Sequence, residues 1–427
     1  MVRLYRVITT LIYPFLLTFI LLRIFFKKED PVRYKEKIFS SNFNIIKKKN
    51  FKLIWFHAAS IGEFKSILPI IEELNKKKNK LEFLITTVTL SSSNLAEEEL
   101  KKFNNVQHRF FPYDIEFLIR KFLNLWKPSA IFLVDSEIWP NLILNADESK
   151  IPLAIINARI TSKTFRRWMF FPETAKYIFS KFNMCISSNL ETKNYLLKLN
   201  VKNIFYNGNI KLINKIVESK MNIKNREILS KNRFWIAAST HNEEEKFCLQ
   251  VHLKLKKKYQ NIITVIAPRH IERVKDIKKL CDKLALNSQI LDDKQFIKRE
   301  REIIIINSFG SLPAYFKLAK SVFIGKSMIE KLKNVAGQSP IEAAKFGCKI
   351  YHGPYVYNFK EIYEILQSNH ISEKINNTAQ LGNKLIKDLK KLNKENNRIP
   401  ELINNLGQKT LADTMKNINN FLFNEIK

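Results

Sequence analysis

Acidic residues that directly follow apolar segments are the first candidates for chemistry in this sequence. Glu63 ends the run Ser60-Ile61-Gly62-Glu63, which comes immediately after the apolar segment at residues 51–59. The glycine allows a tight turn, and the helix that follows would present its N-terminal N–H groups there. Glu63 is therefore a candidate general base, and the alternative is an acid that only stabilises the N-terminus of its helix.

A second acidic run lies in an equivalent place further along the chain. The run Asp135-Ser136-Glu137-Ile138-Trp139-Pro140-Asn141 follows an apolar segment at residues 130–135. Ligands of parallel sheets bind at the carboxyl ends of the strands, where these side chains would lie. Two carboxylates and an indole in that position indicate a binding site.

Cationic and polar runs in the second half of the sequence suggest an anion site. Arg269 and His270 follow the apolar segment at residues 262–267, and with Arg273 they could clamp a phosphate or a carboxylate. Residues 337–344 combine a turn, a proline suited to a first helical position and Glu342 in the first turn. An exposed cationic helix start and ordinary helix capping are the alternative interpretations.

Other chemistries find no support in the residue patterns. The four cysteines form no C-x-x-C pair and the seven histidines show no H-E-x-x-H spacing, so neither disulfides nor a protein-held metal is expected. The sequence contains no G-x-G-x-x-G or G-x-x-x-x-G-K-[ST] run, which argues against dinucleotide oxidoreductases and P-loop NTPases. We expect no cofactor, and a reducing compartment for the main body.

The elements that position these residues follow a βα rhythm. The 427 residues are 45% hydrophobic and 12% aromatic, enough for two domains of about 200 residues each. Apolar strands without alternation predict parallel sheets covered on both faces, and a polar segment at 211–233 predicts a domain boundary. Strands are predicted at residues 51–59, 81–89, 130–135, 153–157, 184–187, 204–206, 234–238, 262–267, 303–307, 322–324 and 349–351. The resulting fold class is α/β, with two doubly wound domains.

The N-terminal segment has the composition of a membrane anchor. Residues 8–22 carry no charge, and the apolar run resumes at 24–26. Charged residues follow directly in place of a signal-peptide cleavage site, so we expect a spanning or half-embedded anchor, with a core helix as the alternative. Arg3 and Arg6 precede the segment, and a larger basic group follows it: Lys27, Lys28, Arg33, Lys35, Lys37, Lys47, Lys48 and Lys49. This asymmetry places the main body in the cytoplasm.

The net charge of +33 fits several kinds of partner: nucleic acid, an anionic membrane or a phosphorylated substrate. A compositional bias of the whole genome would also produce it, because Lys, Asn, Ile and Phe are over-used. The lysines are spread along the chain and no nucleic-acid-binding motif is present. No nucleic-acid partner is expected.

Taken in order, eight runs of the sequence resemble the bacterial Kdo transferases, which transfer 3-deoxy-D-manno-octulosonic acid (Kdo) from CMP-Kdo to the lipid A precursor. The runs are HAASIGE at 57–63, DSEIWPN at 135–141, NARIT at 157–161, NGNIK at 207–211, AASTH at 237–241, APRHIER at 267–273, GQSPIEAA at 337–344 and GPYVYNF at 353–359. The apolar segment at 7–26 also resembles the anchor of this family. Each run is weak alone, but the ordered set is specific.

The resemblance implies a GT-B fold, in which two Rossmann-like domains face a cleft and no catalytic metal is needed. The expected parts are a membrane anchor at 1–30, an acceptor-binding domain at 31–215, and a CMP-Kdo-binding domain with C-terminal helices at 216–427. The expected reaction is inverting transfer of Kdo to the precursor lipid IVA in lipopolysaccharide core biosynthesis. The expected partners are CMP-Kdo, the phosphorylated lipid A precursor and the anionic inner membrane, on its cytoplasmic face.

Residue roles also follow from the resemblance. Glu63 would deprotonate the acceptor hydroxyl, Glu137 would be a second essential carboxylate, and Ser60 and Gly62 would contact the acceptor. Arg269 and His270 would bind the CMP phosphate and offset charge on the leaving group. The rest of the donor pocket would be formed by Gly325, Ser327, Gln338, Ser339, Glu342 and Asn358, with Glu342 on the ribose.

The sequence departs from the family pattern at several positions. Lys326 replaces the second of two glycines expected before Ser327, and Ser339 stands where asparagine is common. Leu90-Ser91-Ser92 replaces an expected Thr-Gly turn, and Asn242-Glu243-Glu244 lacks the usual glycine. The alternative functions are a GT-B transferase that uses a UDP-sugar and a lipid acceptor, and a non-catalytic basic protein that binds membrane or nucleic acid.

Overall fold

The computed structural model describes residues 1–43, 50–76, 80–214, 219–392, 394 and 398–426. These residues form two compact units, one of Met1–Asn214 with Gly407–Lys427 and one of Lys215–Leu406. The basic residues Lys47 to Lys49 and the predicted boundary at 215 and 216 lie outside the described residues.

The first unit contains a parallel sheet of seven strands in the order β3-β2-β1-β4-β5-β6-β7. Its strands are β1 Lys52–His57, β2 Leu81–Thr87, β3 Val106–Phe110, β4 Ala130–Val134, β5 Leu153–Ala158, β6 Met184–Ser187 and β7 Ile204–Tyr206. Its helices up to β7 are α1 Val2–Phe25, α2 Lys35–Ile38, α3 Ile61–Lys76, α4 Leu90–Glu99, α5 Glu116–Trp126, α6 Pro140–Glu148, α7 Ser162–Trp168, α8 Pro172–Phe179 and α9 Leu190–Lys198.

The second unit repeats this architecture with the strand order β10-β11-β9-β8-β12-β13-β14. Its strands are β8 Arg233–Thr240, β9 Ile262–Pro268, β10 Ser288–Leu291, β11 Ile303–Ile306, β12 Ser321–Ile324, β13 Lys349–His352 and β14 Ser372–Lys374. The remaining helices are α10 Ile223–Lys231, α11 Glu244–Lys256, α12 Val274–Lys283, α13 Leu312–Leu318, α14 Ile341–Lys345, α15 Lys360–Ser368, α16 Thr378–Asp388 and α17 Ile399–Glu425.

The central strands lack alternation because both faces of each sheet are covered by helices. Every residue of β4, AIFLV, is buried, and every residue of β11, IIII, is buried as well. In the first unit, Trp55 belongs to the apolar cluster on one face of the sheet and Phe56 to the cluster on the other. The structure confirms the predicted α/β class and the parallel sheets.

In each sheet the strand order reverses at one point, and that point places the candidate sites. The reversal lies between β1 and β4 in the first unit and between β8 and β12 in the second. Loops that leave neighbouring strands at such a point diverge and open a crevice at the carboxyl ends of the strands. The runs that begin at Ser60 and Asp135 leave β1 and β4, and Gly325 leaves β12.

Helix α1 is long and apolar enough to cross a membrane, but it also contacts the first unit along one side. The Tyr5 hydroxyl donates to Asp114 over 2.9 Å, the Tyr13 hydroxyl donates to the Ile38 carbonyl over 2.9 Å, and Arg6 pairs with Glu148 at 2.8 Å. Its other side chains are largely exposed, among them Phe15 at 71% and Phe25 at 79%. The helix therefore belongs to the first unit by its contacts, while an apolar face remains uncovered.

One predicted domain boundary is wrong at the C-terminal end of the chain. The expected second domain ran to residue 427, whereas residues from Gly407 belong to the first unit. Met415, Ile418 and Phe421 lie on one face of α17 and are buried in the apolar cluster that includes Phe132. Burial contributes roughly 1.5–3 kcal/mol for each such side chain, enough to hold this segment on the first sheet.

Candidate functional site

Glu63 lies in the first turn of α3, at the carboxyl end of β1. Its side chain is 9% exposed, and its carboxylate accepts hydrogen bonds from the Ala59 N–H at 2.8 Å and from the Ser60 hydroxyl at 2.8 Å. The Ser60 oxygen in turn accepts from the Glu63 N–H at 3.4 Å, so Ser60 and Glu63 bind each other at the start of the helix. Glu63 therefore stabilises the N-terminus of its helix and is also the candidate general base. The two hydrogen bonds fix the orientation of its carboxylate.

Two more carboxylates and a lysine surround Glu63. Burial raises the pKa of Glu63, and the charges of Asp135 and Glu137 raise it further, against the opposing effects of the Ser60 hydrogen bond and Lys211. Lys211 pairs with Asp135, which is itself buried. A carboxylate whose pKa is raised in this way is a stronger proton acceptor than a solvated one, as a general base requires.

The Glu137 carboxylate is oriented by one indole and one imidazole, those of Trp139 and His57. Its Oε2 atom accepts from the Trp139 indole N–H at 2.8 Å and lies 3.2 Å from His57 Nε2. The His57 ring stacks on Phe111 with centroids 4.0 Å apart, and its Nδ1 lies 2.9 Å from the Thr86 hydroxyl. The indole and the carboxylate of the DSEIWPN run thus bind each other, which accounts for both residues occurring in one run.

The two predicted acceptor contacts have different surroundings. The Ser60 hydroxyl is engaged with Glu63, so in this structure it orients the candidate base. A Cβ added at Gly62 would meet nothing within 4 Å, so no neighbouring atom requires glycine there. Contact of either residue with an acceptor stays a prediction.

The predicted phosphate-binding residues lie at the carboxyl ends of β8 and β9 in the second unit. Arg269 and His270 are exposed, and the Arg269 N–H donates to the Thr240 carbonyl at 3.0 Å, which joins the two strand ends. His241 packs edge-on against His270, with ring centroids 5.7 Å apart. Burial lowers the pKa of His241, and the charges of Lys326, His270 and Arg269 lower it further.

Arg273, the third cation of the predicted clamp, has a different partner. Its guanidinium binds both carboxylate oxygens of Glu245, at 2.6 and 3.1 Å, and Glu245 is fully buried. A bidentate pair of this kind stabilises the structure and occupies the guanidinium. The expectation that Arg273 binds a ligand anion is therefore not supported by its contacts.

The loop after β12 is held by Glu244. The Glu244 carboxylate accepts four backbone N–H groups, from His241 at 3.0 Å, Lys326 at 2.7 Å, Ser327 at 2.8 Å and Met328 at 3.0 Å. Burial raises the pKa of Glu244, and the four N–H donors, which favour the ionised form, oppose that shift. This carboxylate therefore joins the loop after β8 to the loop after β12.

Gly325 and Ser327 have close-packed positions in that loop. A Cβ added at Gly325 would lie 2.6 Å from the Ser239 carbonyl oxygen and 2.8 Å from Glu244 Oε2, so only glycine fits. The Ser327 hydroxyl donates to the Ile324 carbonyl at 2.7 Å and accepts from the Gly353 N–H at 2.9 Å. Both contacts of the hydroxyl are internal, so in this structure it shapes the loop.

The remaining predicted donor residues lie on the neighbouring loops of the same unit. The Gly337 N–H donates to the Lys326 carbonyl at 2.7 Å, which brings the loop that carries Gln338 and Ser339 beside the loop after β12. Ser339 is exposed and Glu342 is half-buried in the first turn of α14. The Asn358 side chain donates to the Val335 carbonyl at 2.7 Å, so it bridges two loops. The structure thus gathers all the predicted donor residues at one end of the second sheet.

Lys211 and Glu244 have functional positions that sequence patterns do not reveal. Both belong to runs that were noted, NGNIK and the segment after His241, but their partners Asp135 and the loop after β12 lie 76 and about 82 residues away in the chain. The available signal for Lys211 was its position two residues after the run Asn207-Gly208-Asn209. Among the described residues, no group of three or more His, Cys, Asp or Glu side chains is placed to hold a metal ion.

Comparisons with known proteins agree with this arrangement. A family model described as 3-deoxy-D-manno-octulosonic-acid transferase (kdotransferase) matches residues 33–214. The chain is 30% identical to a 3-deoxy-D-manno-octulosonic acid transferase of Rickettsia bellii over 371 residues, which cover 86% of each chain. It is 33% identical to a probable mitochondrial 3-deoxy-D-manno-octulosonic acid transferase of Arabidopsis thaliana over 329 residues, 74% of this chain and 72% of the relative.

Solved structures match the fold at lower identity. A putative UDP-N-acetylglucosamine 2-epimerase of Listeria monocytogenes is 12% identical, with a TM-score of 0.59, over 88% of this chain and 98% of its own. A UDP-GlcNAc 2-epimerase of Neisseria meningitidis bound to UDP-GlcNAc is 15% identical, with a TM-score of 0.57, over 88% of this chain and 100% of its own. These likenesses confirm the GT-B type of fold. The chain belongs to the Kdo transferase family and is a glycosyltransferase.

Proposed function

We propose that this enzyme transfers Kdo from CMP-Kdo to the phosphorylated lipid A precursor lipid IVA, with inversion at the anomeric carbon. The observation that carries the proposal is the buried Glu63 carboxylate beside Asp135 and Glu137, where its pKa is raised. A buried carboxylate with a raised pKa, oriented by two hydrogen bonds at the carboxyl end of a central strand, fits a general base.

In this mechanism Glu63 takes the proton of the acceptor hydroxyl as the oxygen attacks the anomeric carbon of Kdo. The bond from that carbon to the phosphate oxygen breaks, and CMP leaves with the electron pair. Arg269 and His270 bind the phosphate and offset its growing negative charge. Glu137, oriented by His57 and Trp139, keeps a negative charge near Glu63 and so favours proton uptake there.

The other predicted site residues keep supporting roles in the proposal. Gly325 and Ser327 shape the donor loop, Gln338, Ser339 and Asn358 line the donor pocket, and Glu342 binds the ribose. Ser60 and Gly62 lie beside the acceptor hydroxyl, and the Ser60 hydroxyl orients Glu63.

The proposed location is the cytoplasmic face of the bacterial inner membrane, where the acceptor lipid is found. Helix α1 supports this location because its 24 residues are long and apolar enough to cross a membrane and its uncovered side chains include Phe15 and Phe25. The basic residues that follow α1 would add attraction to an anionic surface of about 1 kcal/mol for each Lys or Arg near it.

A reconstituted assay tests the proposal. Purified protein is incubated with CMP-Kdo and lipid IVA, and the release of CMP and the mass of the lipid product are measured. Acceptor-dependent CMP release with a product heavier by one or more Kdo residues supports the proposal, and NMR of the product gives the anomeric configuration. UDP-sugars in parallel reactions test the alternative donor. Salt-sensitive DNA binding without turnover would instead support a non-catalytic basic protein.

A further inference from the structure

Lys326 adopts a strained backbone conformation at the tip of the loop after β12. Its φ angle is +57°, in the left-handed region that side chains other than Gly, Asn and Asp seldom occupy. Its N–H donates to Glu244 at 2.7 Å and its carbonyl accepts from Gly337 at 2.7 Å, so both sides of the residue are fixed. The loop therefore holds a lysine where glycine would be free of strain.

Among the described residues, no acidic side chain compensates the charge of Lys326. The side chain is half-buried, and the effects on the pKa of its amine are burial and the positive charge of Arg269, both of which lower it. Lys326 in turn contributes to the lowered pKa of His241. The nearby carboxylate of Glu244 is already occupied by four backbone N–H groups. Three cationic or ionisable side chains, His241, Arg269 and Lys326, thus lie on the loops after β8, β9 and β12, and in the described part of the chain none of them forms an ion pair with a carboxylate.

We propose that Lys326 is a further anion-binding residue of this site, and that together with Arg269 it binds the phosphate of the donor nucleotide. A phosphate between the two cations replaces their mutual repulsion by two charge-assisted hydrogen bonds. Placing the lysine at the tip of the loop requires the left-handed backbone, and Glu244 and Gly337 hold it there. The inference rests on the proposed function for the identity of the nucleotide, CMP.

Four substitutions in the full-length protein separate charge from strain. K326M removes the charge and keeps the strained backbone, so CMP affinity measured by calorimetry should fall about 10- to 100-fold, as for loss of a charged hydrogen bond. K326R should keep most of the affinity. K326G removes both the charge and the backbone strain, so CMP affinity should fall while Tm rises. K150G, which relieves an exposed lysine with φ of +54° far from this loop in the sequence, should raise Tm and leave CMP affinity unchanged.

Cytidine and inorganic phosphate serve as further probes in the same titrations. Cytidine affinity should be the same in wild type and K326M, since the nucleoside has no phosphate. Equal CMP affinity in wild type and folded K326M overturns the inference. If wild type does not bind CMP, the proposed donor is wrong, and inorganic phosphate then decides: weaker binding by K326M supports the anion site, and equal binding overturns it.

Discussion

Replacing Glu63 with glutamine separates its proposed catalytic role from its role at the helix N-terminus. Glutamine keeps the shape, and its one carbonyl oxygen can still accept from the Ala59 N–H or the Ser60 hydroxyl. It cannot take a proton from the acceptor hydroxyl. We expect turnover to fall about 10²- to 10⁴-fold, which corresponds to roughly 2.7–5.4 kcal/mol in the barrier. CMP affinity should be unchanged because the Glu63 carboxylate accepts its described hydrogen bonds from Ala59 and Ser60, in its own loop.

The same substitution should change how stability depends on pH, and the sign follows from the raised pKa. Folded Glu63 has a pKa above that of an ordinary Glu because burial, then Asp135, disfavours its ionised form. Between the unfolded and folded pKa values the folded state binds more protons, so wild type loses stability as pH rises through that window. Glutamine does not titrate. The stability of E63Q relative to wild type should therefore increase from acidic to neutral pH.

Steady-state kinetics, CMP calorimetry and urea unfolding at several pH values measure these effects. E73Q is the matched control, because Glu73 lies on the same helix with its side chain 37% exposed and pairs with Lys76. It should change neither turnover nor the pH dependence of stability. Near-normal turnover by folded E63Q would refute the base assignment, and a stability difference independent of pH would refute the argument from burial.

Further substitutions test the other parts of the proposal. R269A should weaken CMP binding by about 1.5–3 kcal/mol, and R269K should restore it only partly. Unchanged calorimetric affinity in R269A would show that Arg269 does not bind CMP. Exchanging Phe15 and Phe25 for serine should reduce sedimentation with anionic vesicles while activity on detergent-dispersed acceptor persists, and undiminished vesicle binding would contradict the role of α1. G325A should lower stability by about 1–3 kcal/mol and weaken CMP binding, whereas G62A, with space for its Cβ, should fold normally; equal Tm values would contradict the close packing.

The interior strands of both sheets follow directly from the sequence, whereas three of the four edge strands in the described topology do not. Residues 81–89 and 262–267 are predicted as strands from their β-rich composition, and β2 and β9 are buried along their whole length. The strands β3, β10 and β14 were missed, and each lies at the edge of its sheet in the described topology. An edge strand has one neighbour and a partly exposed face, so runs such as SQIL and SEK carry little apolar signal.

The C-terminal helix shows a different limit of sequence patterns. C-terminal helices are expected in the second domain, and α16 and α17 are helices. The spacing of Met415, Ile418 and Phe421 indicates that one face is buried, but two sheets offered similar apolar faces. Which sheet the helix packs on depends on side-chain packing between segments far apart in the chain. The hydrophobic periodicity of the helix carries no information about that packing.

The pairing of candidate site residues could be predicted where it depends on strand order alone. Glu63 and Glu137 follow β1 and β4, which are neighbours in the sheet, and Glu137 contributes to the raised pKa of Glu63. The contacts of Lys211 and Glu244 depend on loop conformation, and Glu244 binds backbone N–H groups that no residue type reveals. Sequence patterns therefore indicated where the site lies and which acids it contains, but not what orients them.

Residues with positive φ occur at the strand ends of both units, which explains why the loops there could not be predicted in detail. Asp135, Asn157, Ser239 and Lys326 all have positive φ, between 54° and 62°, and all lie at or just beyond the carboxyl ends of strands. Asp135 and Asn157 are residue types that tolerate this conformation, but Ser239 and Lys326 are not, so residue type marks only half of these turns. Such conformations persist where surrounding contacts hold them, as Lys211 binds Asp135 and Glu244 binds the N–H of Lys326. Because strained residues concentrate at functional sites, their placement beside Glu63 in one unit and Arg269 in the other supports the same conclusion as the charges: these loops are shaped for ligands at some cost to stability.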